Sequence, residues 1–81
     1  MKVVQELGKR IKGPMGERED WWRLIVTPGG EQAVEHEWSH TALNTLKTNS
    51  GTKIYQVAEF LELDSPQASG AQRALREILG L

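Results

Sequence analysis

The residues with the clearest chemical potential are His36, Glu37 and His40, which form the H-E-x-x-H pattern of zinc peptidases. On a helix, the two imidazoles would lie one turn apart and could bind one zinc ion at about 2.0 to 2.1 Å. Glu37, between them, would activate the zinc-bound water. On a strand, the histidines would share a face but stand about 13 Å apart, at roughly 3.3 Å per residue. The secondary structure of this segment therefore decides whether the chain could be a metallopeptidase.

A fourth residue extends the motif, because Glu59 follows His40 by nineteen residues. His36, Glu37, His40 and Glu59 resemble the zinc site of the aminopeptidase branch of the gluzincins. The resemblance covers under a third of the chain. It implies a zinc metallopeptidase, with the metal held by His36, His40 and Glu59 and with Glu37 as the catalytic residue. We keep this enzyme as the alternative to a protein with no catalytic residue, no metal and no cofactor.

Residues 31–48 are compatible with either secondary structure. A helix would place Val34, Trp38, Ala42 and Leu46 four residues apart. A strand over residues 32–39 would instead alternate apolar and charged side chains. The preceding residues 21–27 are rich in aromatic and β-branched types, and Pro28-Gly29-Gly30 suits a three-residue hairpin loop. We therefore favour an antiparallel hairpin of residues 21–27 and 32–39.

The hairpin has one chemically sensible register. A three-residue loop places apolar residues opposite apolar ones and opposite charges opposite each other, whereas a shift by one residue sets Leu24 against Glu35. The predicted pairs are Thr27 with Glu31, Ile25 with Ala33, Leu24 with Val34, Arg23 with Glu35, and Trp22 with His36.

The N-terminal segment is predicted to be a helix, because its apolar residues recur at helical spacing and its cations fall in what would be the last turns. The apolar set is Val3, Val4, Leu7 and Ile11, and the cations are Lys9, Arg10 and Lys12. Gly13 and Pro14 would end this helix. Residues 13–20 are then expected to form an exposed loop.

Two further helices are predicted in the C-terminal part. The first would hold Ile54, Val57, Ala58 and Leu61, although Thr52 to Gln56 could instead form a third strand. The second would start near Pro66 and run to about Leu79. Its buried residues would be Ala68, Ala71, Leu75, Ile78 and Leu79. The expected fold is thus α+β: an N-terminal helix, an antiparallel β-hairpin that could gain a third strand, and two C-terminal helices packed on the sheet.

Residues 57–79 resemble the helix-turn-helix of bacterial regulators through the run Val57-Ala58-Glu59-Phe60-Leu61-Glu62-Leu63-Asp64-Ser65. The resemblance implies that the second helix reads the major groove of DNA. Its candidate contact residues are Gln67, Ser69, Gln72, Arg73 and Arg76. Because nearby carboxylates offset the few cations, nucleic acid is a possible but not a favoured partner.

Composition narrows the remaining classes of function. The 81 residues suit a single domain over 1–81, and the chain has no cysteine and a formal charge of −1. We expect a soluble cytoplasmic protein without a membrane segment. Adjacent tryptophans on one strand point to opposite faces, so one of them should lie outside the core. We therefore predict a non-enzymatic binding or accessory module that contacts a protein partner, or a second copy, through Trp21, Arg23, Glu35 and Glu37.

Overall fold

A four-stranded antiparallel sheet in the order β1-β2-β3-β4 dominates the computed structural model, which describes residues 2–12, 18–42 and 47–81. The strands are β1 (Lys2–Lys12), β2 (Arg18–Val26), β3 (Gln32–Ala42) and β4 (Lys47–Gln56). The chain then forms α1 (Val57–Leu61), a 3₁₀ turn (Pro66–Ala68) and α2 (Ser69–Leu79). Each strand thus pairs with its neighbour in sequence, which is the arrangement that short connections favour.

The predicted hairpin between β2 and β3 is confirmed in both secondary structure and register. Trp22 pairs with His36, Arg23 with Glu35, Leu24 with Val34, and Ile25 with Ala33. The loop closes through two backbone hydrogen bonds: Thr27 N–H donates to the Glu31 carbonyl at 2.8 Å, and Gly30 N–H donates to the Thr27 carbonyl at 2.9 Å. Gly30 adopts a positive φ of 83°, a conformation that glycine reaches without a steric penalty.

The predicted N-terminal helix is wrong, because residues 2–12 form the edge strand β1 paired with β2. Two irregularities interrupt this pairing, one between Val3 and Gln5 and one between Glu6 and Gly8. Each places an extra residue in β1, which breaks the two-residue alternation of a regular strand. The apolar residues consequently fall at intervals that imitate a helix. Leu7, the extra residue of the second irregularity, is the member of this apolar set that enters the core.

Of the two predicted C-terminal helices, the second is present over residues 66–79, whereas the first is wrong in extent, because it is reduced to five residues and Ile54 belongs to β4. The part of the chain that is described here contains one five-residue helix, α1, and one 14-residue helical segment over residues 66–79. Residues 52–56 belong to β4, where they satisfy their backbone groups by pairing with β3. The predicted loop over residues 13–20 falls partly outside the described residues, at 13–17, and its last three residues begin β2.

The hydrophobic core lies on one side of the sheet, which we call the inner face, and the opposite side is the outer face. Both helices contribute to this core, which also includes Leu7 from β1. The remaining members are Trp22, Leu24, Val34, Phe60, Ala68, Ala71 and Leu75. The predicted burial of Ala68, Ala71 and Leu75 is confirmed, whereas Ile78 is 39% exposed. None of the described helices has the length and apolar character needed to cross a membrane.

A buried polar side chain, that of Gln72 on α2, also links the two helices. Gln72 is buried, and its side-chain amide donates to the carbonyls of Phe60 and Leu63, both at 2.9 Å. The Phe60 carbonyl also accepts from the Leu63 N–H at 3.3 Å, so Gln72 adds a second bond there and links α2 to the chain that follows α1. On β1, Gly8 lets α2 approach closely, because a Cβ atom there would lie 3.4 Å from the Cβ of Ala71.

Gly51 provides a test of the inner-face packing. A Cβ atom at this position would lie 2.5 Å from Cζ2 of Trp38, so a side chain must displace the indole. We expect Gly51→Val to lower the free energy of unfolding by about 1 to 3 kcal/mol. Gly70→Ala is the control, because nothing lies within 4 Å of that Cβ position and alanine favours a helix. Urea denaturation measures both, and equal stability of Gly51→Val and wild type would contradict the packing.

Candidate functional site

The H-E-x-x-H motif lies on β3, and the strand divides it between the two faces of the sheet. His36 and His40 are on the inner face, where both bond the carboxylate of Asp20 on β2. The Oδ1 atom is 2.9 Å from Nε2 of His36, and the Oδ2 atom is 3.4 Å from Nε2 of His40. Asp20 is 4% exposed. A buried carboxylate therefore joins the two histidines of the motif.

Aromatic contacts fix the first of these imidazoles. The ring of His36 is stacked on Trp22, with centroids 5.0 Å apart and an interplanar angle of 13°. Trp38 approaches the same imidazole at 5.3 Å with its plane tilted by 48°. His40 lies farther along the strand, and its side chain is 38% exposed. His36 is thus held between two indoles, while His40 faces partly into solvent.

The zinc site implied by the gluzincin resemblance does not match this geometry. Glu37 lies on the outer face, where it accepts a hydrogen bond from Arg23 rather than facing the two histidines. Glu59 is an exposed residue of α1. Within residues 2–12, 18–42 and 47–81, no group of three histidine or acidic side chains has the arrangement needed to hold a metal ion. The proposed ligands and the proposed base are therefore not brought together.

The outer face carries the four residues expected to contact a partner. Arg23 donates to Glu35 at 2.9 Å and to Glu37 at 2.8 Å. The hydrogen bond to Glu37, followed by the one to Glu35, raises the pKa of Arg23 against the opposing effect of desolvation. Strand alternation puts Trp21 on the same face, and its side chain is partly buried. Trp21, Arg23, Glu35 and Glu37 thus form one connected surface.

Apolar residues border this ion-pair cluster. Ile25 and Ala33 are cross-strand neighbours, are almost fully buried and lie outside the main core. Val3 on β1, opposite Ile25, is 55% exposed, and Ile54 on β4, opposite Glu35, is 40% exposed. The outer face therefore has a small apolar centre of its own, with exposed aliphatic side chains on both edge strands.

Sequence reasoning missed a second group of residues, at the end of the inner face. Arg10 and Lys12 from β1 and Arg18 from β2 line one concavity together with Asp20, His40 and Gln67. The helical spacing of the N-terminal segment instead predicts Arg10 and Lys12 at the end of a helix. The available signal was their spacing of two, which places both on the same face of a strand.

The residues proposed to read DNA have mixed roles in the structure. Gln72 is buried and bonded to two carbonyls, so it is unavailable to a base. Ser69 donates to the Pro66 carbonyl, and Arg76 donates to the Leu61 carbonyl. Arg73 is exposed on α2, and Gln67 lines the basic concavity. These five residues therefore do not form one common reading surface.

No protein-family model, curated protein or solved structure matches this chain significantly.

Replacing Asp20 tests whether the carboxylate that bonds both histidines stabilises the fold. Asp20→Ala leaves His36 and His40 without their shared partner, and we expect the free energy of unfolding to fall by about 1 to 3 kcal/mol. The control is Asp64→Ala, because Asp64 is exposed and substitutions at such positions usually change stability by under about 0.5 kcal/mol. Denaturant titration at neutral pH compares them, and an equally small loss in both variants would contradict the bridging role.

Proposed function

We propose that this protein is a non-enzymatic binding module that associates with a second copy of itself through the outer face of the sheet. The observation that supports this proposal is the one-sided packing of the helices. Every helical residue of the main core packs with residues of the inner face. The described helices thus leave the exposed aliphatic residues of the outer face available for a partner, whereas Ile25 and Ala33 on that face are already buried.

Burial of apolar surface would drive the association. Val3, Ile11 and Ile54 are 55%, 54% and 40% exposed, and all three lie on the edge strands of the outer face. Fully burying an aliphatic side chain contributes roughly 1.5 to 3 kcal/mol, and these edge residues would gain a small part of that amount, because a partner strand would cover them mainly with polar residues. Trp21 adds an aromatic side chain of the kind that often anchors protein interfaces.

The outer face is self-complementary in charge at its centre. A two-fold axis parallel to the strands, between β2 and β3, would set β2 of one copy against β3 of the other. In the row that contains Arg23 and Glu35, the guanidinium of each copy would then face the carboxylate of the other. One patch that meets its own copy in this way is the usual form of a two-fold interface. Like charges would not oppose each other at the centre.

The chemical environment supports a binding role rather than a peptidase role. Glu37 is engaged by Arg23 on the face opposite the two histidines. The absence of cysteine from the chain also suits a reducing compartment, and we place the module in the cytoplasm on that ground.

Two isoleucines of nearly equal exposure allow a matched test of the interface. Ile54 lies on the outer face and is 40% exposed, while Ile78 on α2 is 39% exposed. We expect Ile54→Asp to raise the dissociation constant of the dimer by about tenfold or more, because the interface would have to desolvate a carboxylate. Ile78→Asp should leave it unchanged. Sedimentation velocity over a wide range of concentration measures both.

Two results would contradict the proposal. A wild-type protein that remains monomeric at the highest concentrations would show that the outer face does not bind its own copy. An equal loss of association in Ile54→Asp and Ile78→Asp would place the interface elsewhere.

A further inference from the structure

The end of the inner face beyond the helical core forms a surface that we call the basic end. Its residues occupy two cross-sheet rows of the described strands. One row consists of Arg10, Asp20, Trp38 and Gly51, and the next consists of Lys12, Arg18, His40 and Asn49. Gln67, at the start of the helical segment, lines the same concavity as the basic residues.

Positive charge is concentrated on this surface although the whole chain has a formal charge of −1. Arg10, Lys12 and Arg18 lie in the two rows, and among the described residues of these rows Asp20 is the one carboxylate. That carboxylate is buried and both of its oxygens are engaged by imidazoles, which reduces its repulsion of an incoming anion. Clustered cations in a concave site attract polyanions and raise their local concentration.

An aromatic side chain, Trp38, lies in the same cross-sheet row as Arg10, with Asp20 between them. The indole of Trp38 lies over Gly51, where the absence of a side chain makes room for it. Trp38 remains partly exposed, and it continues an aromatic series that runs from Trp22 through His36. Proteins that bind single strands use cations to hold the phosphates and accessible aromatic rings to stack the unpaired bases.

We propose that the basic end binds single-stranded nucleic acid. The guanidinium groups of Arg10 and Arg18 bind backbone phosphates, because their planar donors match phosphate oxygens. An unpaired base stacks on the exposed part of Trp38, a contact that a duplex cannot make because its bases are already stacked inside the helix. This site lies on the inner face, so it is independent of self-association through the outer face.

The charge test uses two neighbouring cations on opposite faces of β1. Arg10 lies at the basic end, and Lys9 pairs with Trp21 on the outer face. Fluorescence anisotropy with a labelled mixed-sequence single-stranded DNA oligonucleotide measures affinity. We expect Arg10→Glu to weaken binding by about tenfold, with a shallower salt dependence, and Lys9→Glu to weaken it by under about threefold. Equal losses in the two variants would overturn the proposed location.

The aromatic test separates stacking from plain charge attraction. We expect Trp38→Ala to weaken binding by about tenfold and Trp38→Phe to restore part of the affinity, since phenylalanine keeps a ring. A fold defect in the alanine variant would not affect this comparison, because the phenylalanine variant must still bind better than an aliphatic Trp38→Leu variant. Equal affinity of the phenylalanine and leucine variants would overturn the stacking role.

Competitors identify the class of ligand. Unlabelled single-stranded oligonucleotide should displace the probe at a lower concentration than its duplex, inorganic polyphosphate or polyglutamate. Equal competition by polyphosphate or polyglutamate would show a general anion site and overturn the proposal, as would no binding of the probe at low salt. The Ile54→Asp variant should bind the probe as wild type does, so the result is separate from the test of dimer formation.

Discussion

The register of the hairpin between β2 and β3 is the constraint on which the rest of the structure depends. The hydrogen bonds between Thr27, Gly30 and Glu31 close the loop and set which residues are opposite each other. Because strand side chains alternate between faces, this one choice puts Trp22 and His36 inside and Arg23 and Glu35 outside. A slip of one residue in β3 would turn its histidines outward and its glutamates toward the core.

This register also produces two faces with different chemistry. On the inner face, the buried carboxylate of Asp20 joins two imidazoles that the same strand presents four residues apart. On the outer face, Arg23 lies between two carboxylates of β3. The near-neutral charge of the whole chain conceals this separation of charge. Each face therefore has to be considered as its own binding surface.

The sequence was sufficient to predict the part of the fold that depends on local pairing. The turn chemistry and the cross-strand pairs, such as Leu24 with Val34, favour the hairpin over a helix, and the structure has that register. The edge strand β1 was not predictable in this way, because its two irregularities imitate helical spacing. In β4, the decisive interaction is backbone pairing with β3, which residue types such as Lys53 and Ile54 do not reveal.

The residues of the basic end could not be grouped from the sequence for the same reason, because their proximity depends on strand pairing. Arg10 and Arg18 come together because β1 pairs with β2, so an incorrect helix over the first residues separates them.

One solution measurement tests whether the β2–β3 register and the pairing of β1 with β2 position the side chains of the inner face. In a nuclear Overhauser spectrum, Trp22 should show backbone cross-strand contacts to both Gly8 and His36. Helical contacts between residues three apart throughout residues 2–12, with no contact from Trp22 to Gly8, would contradict it.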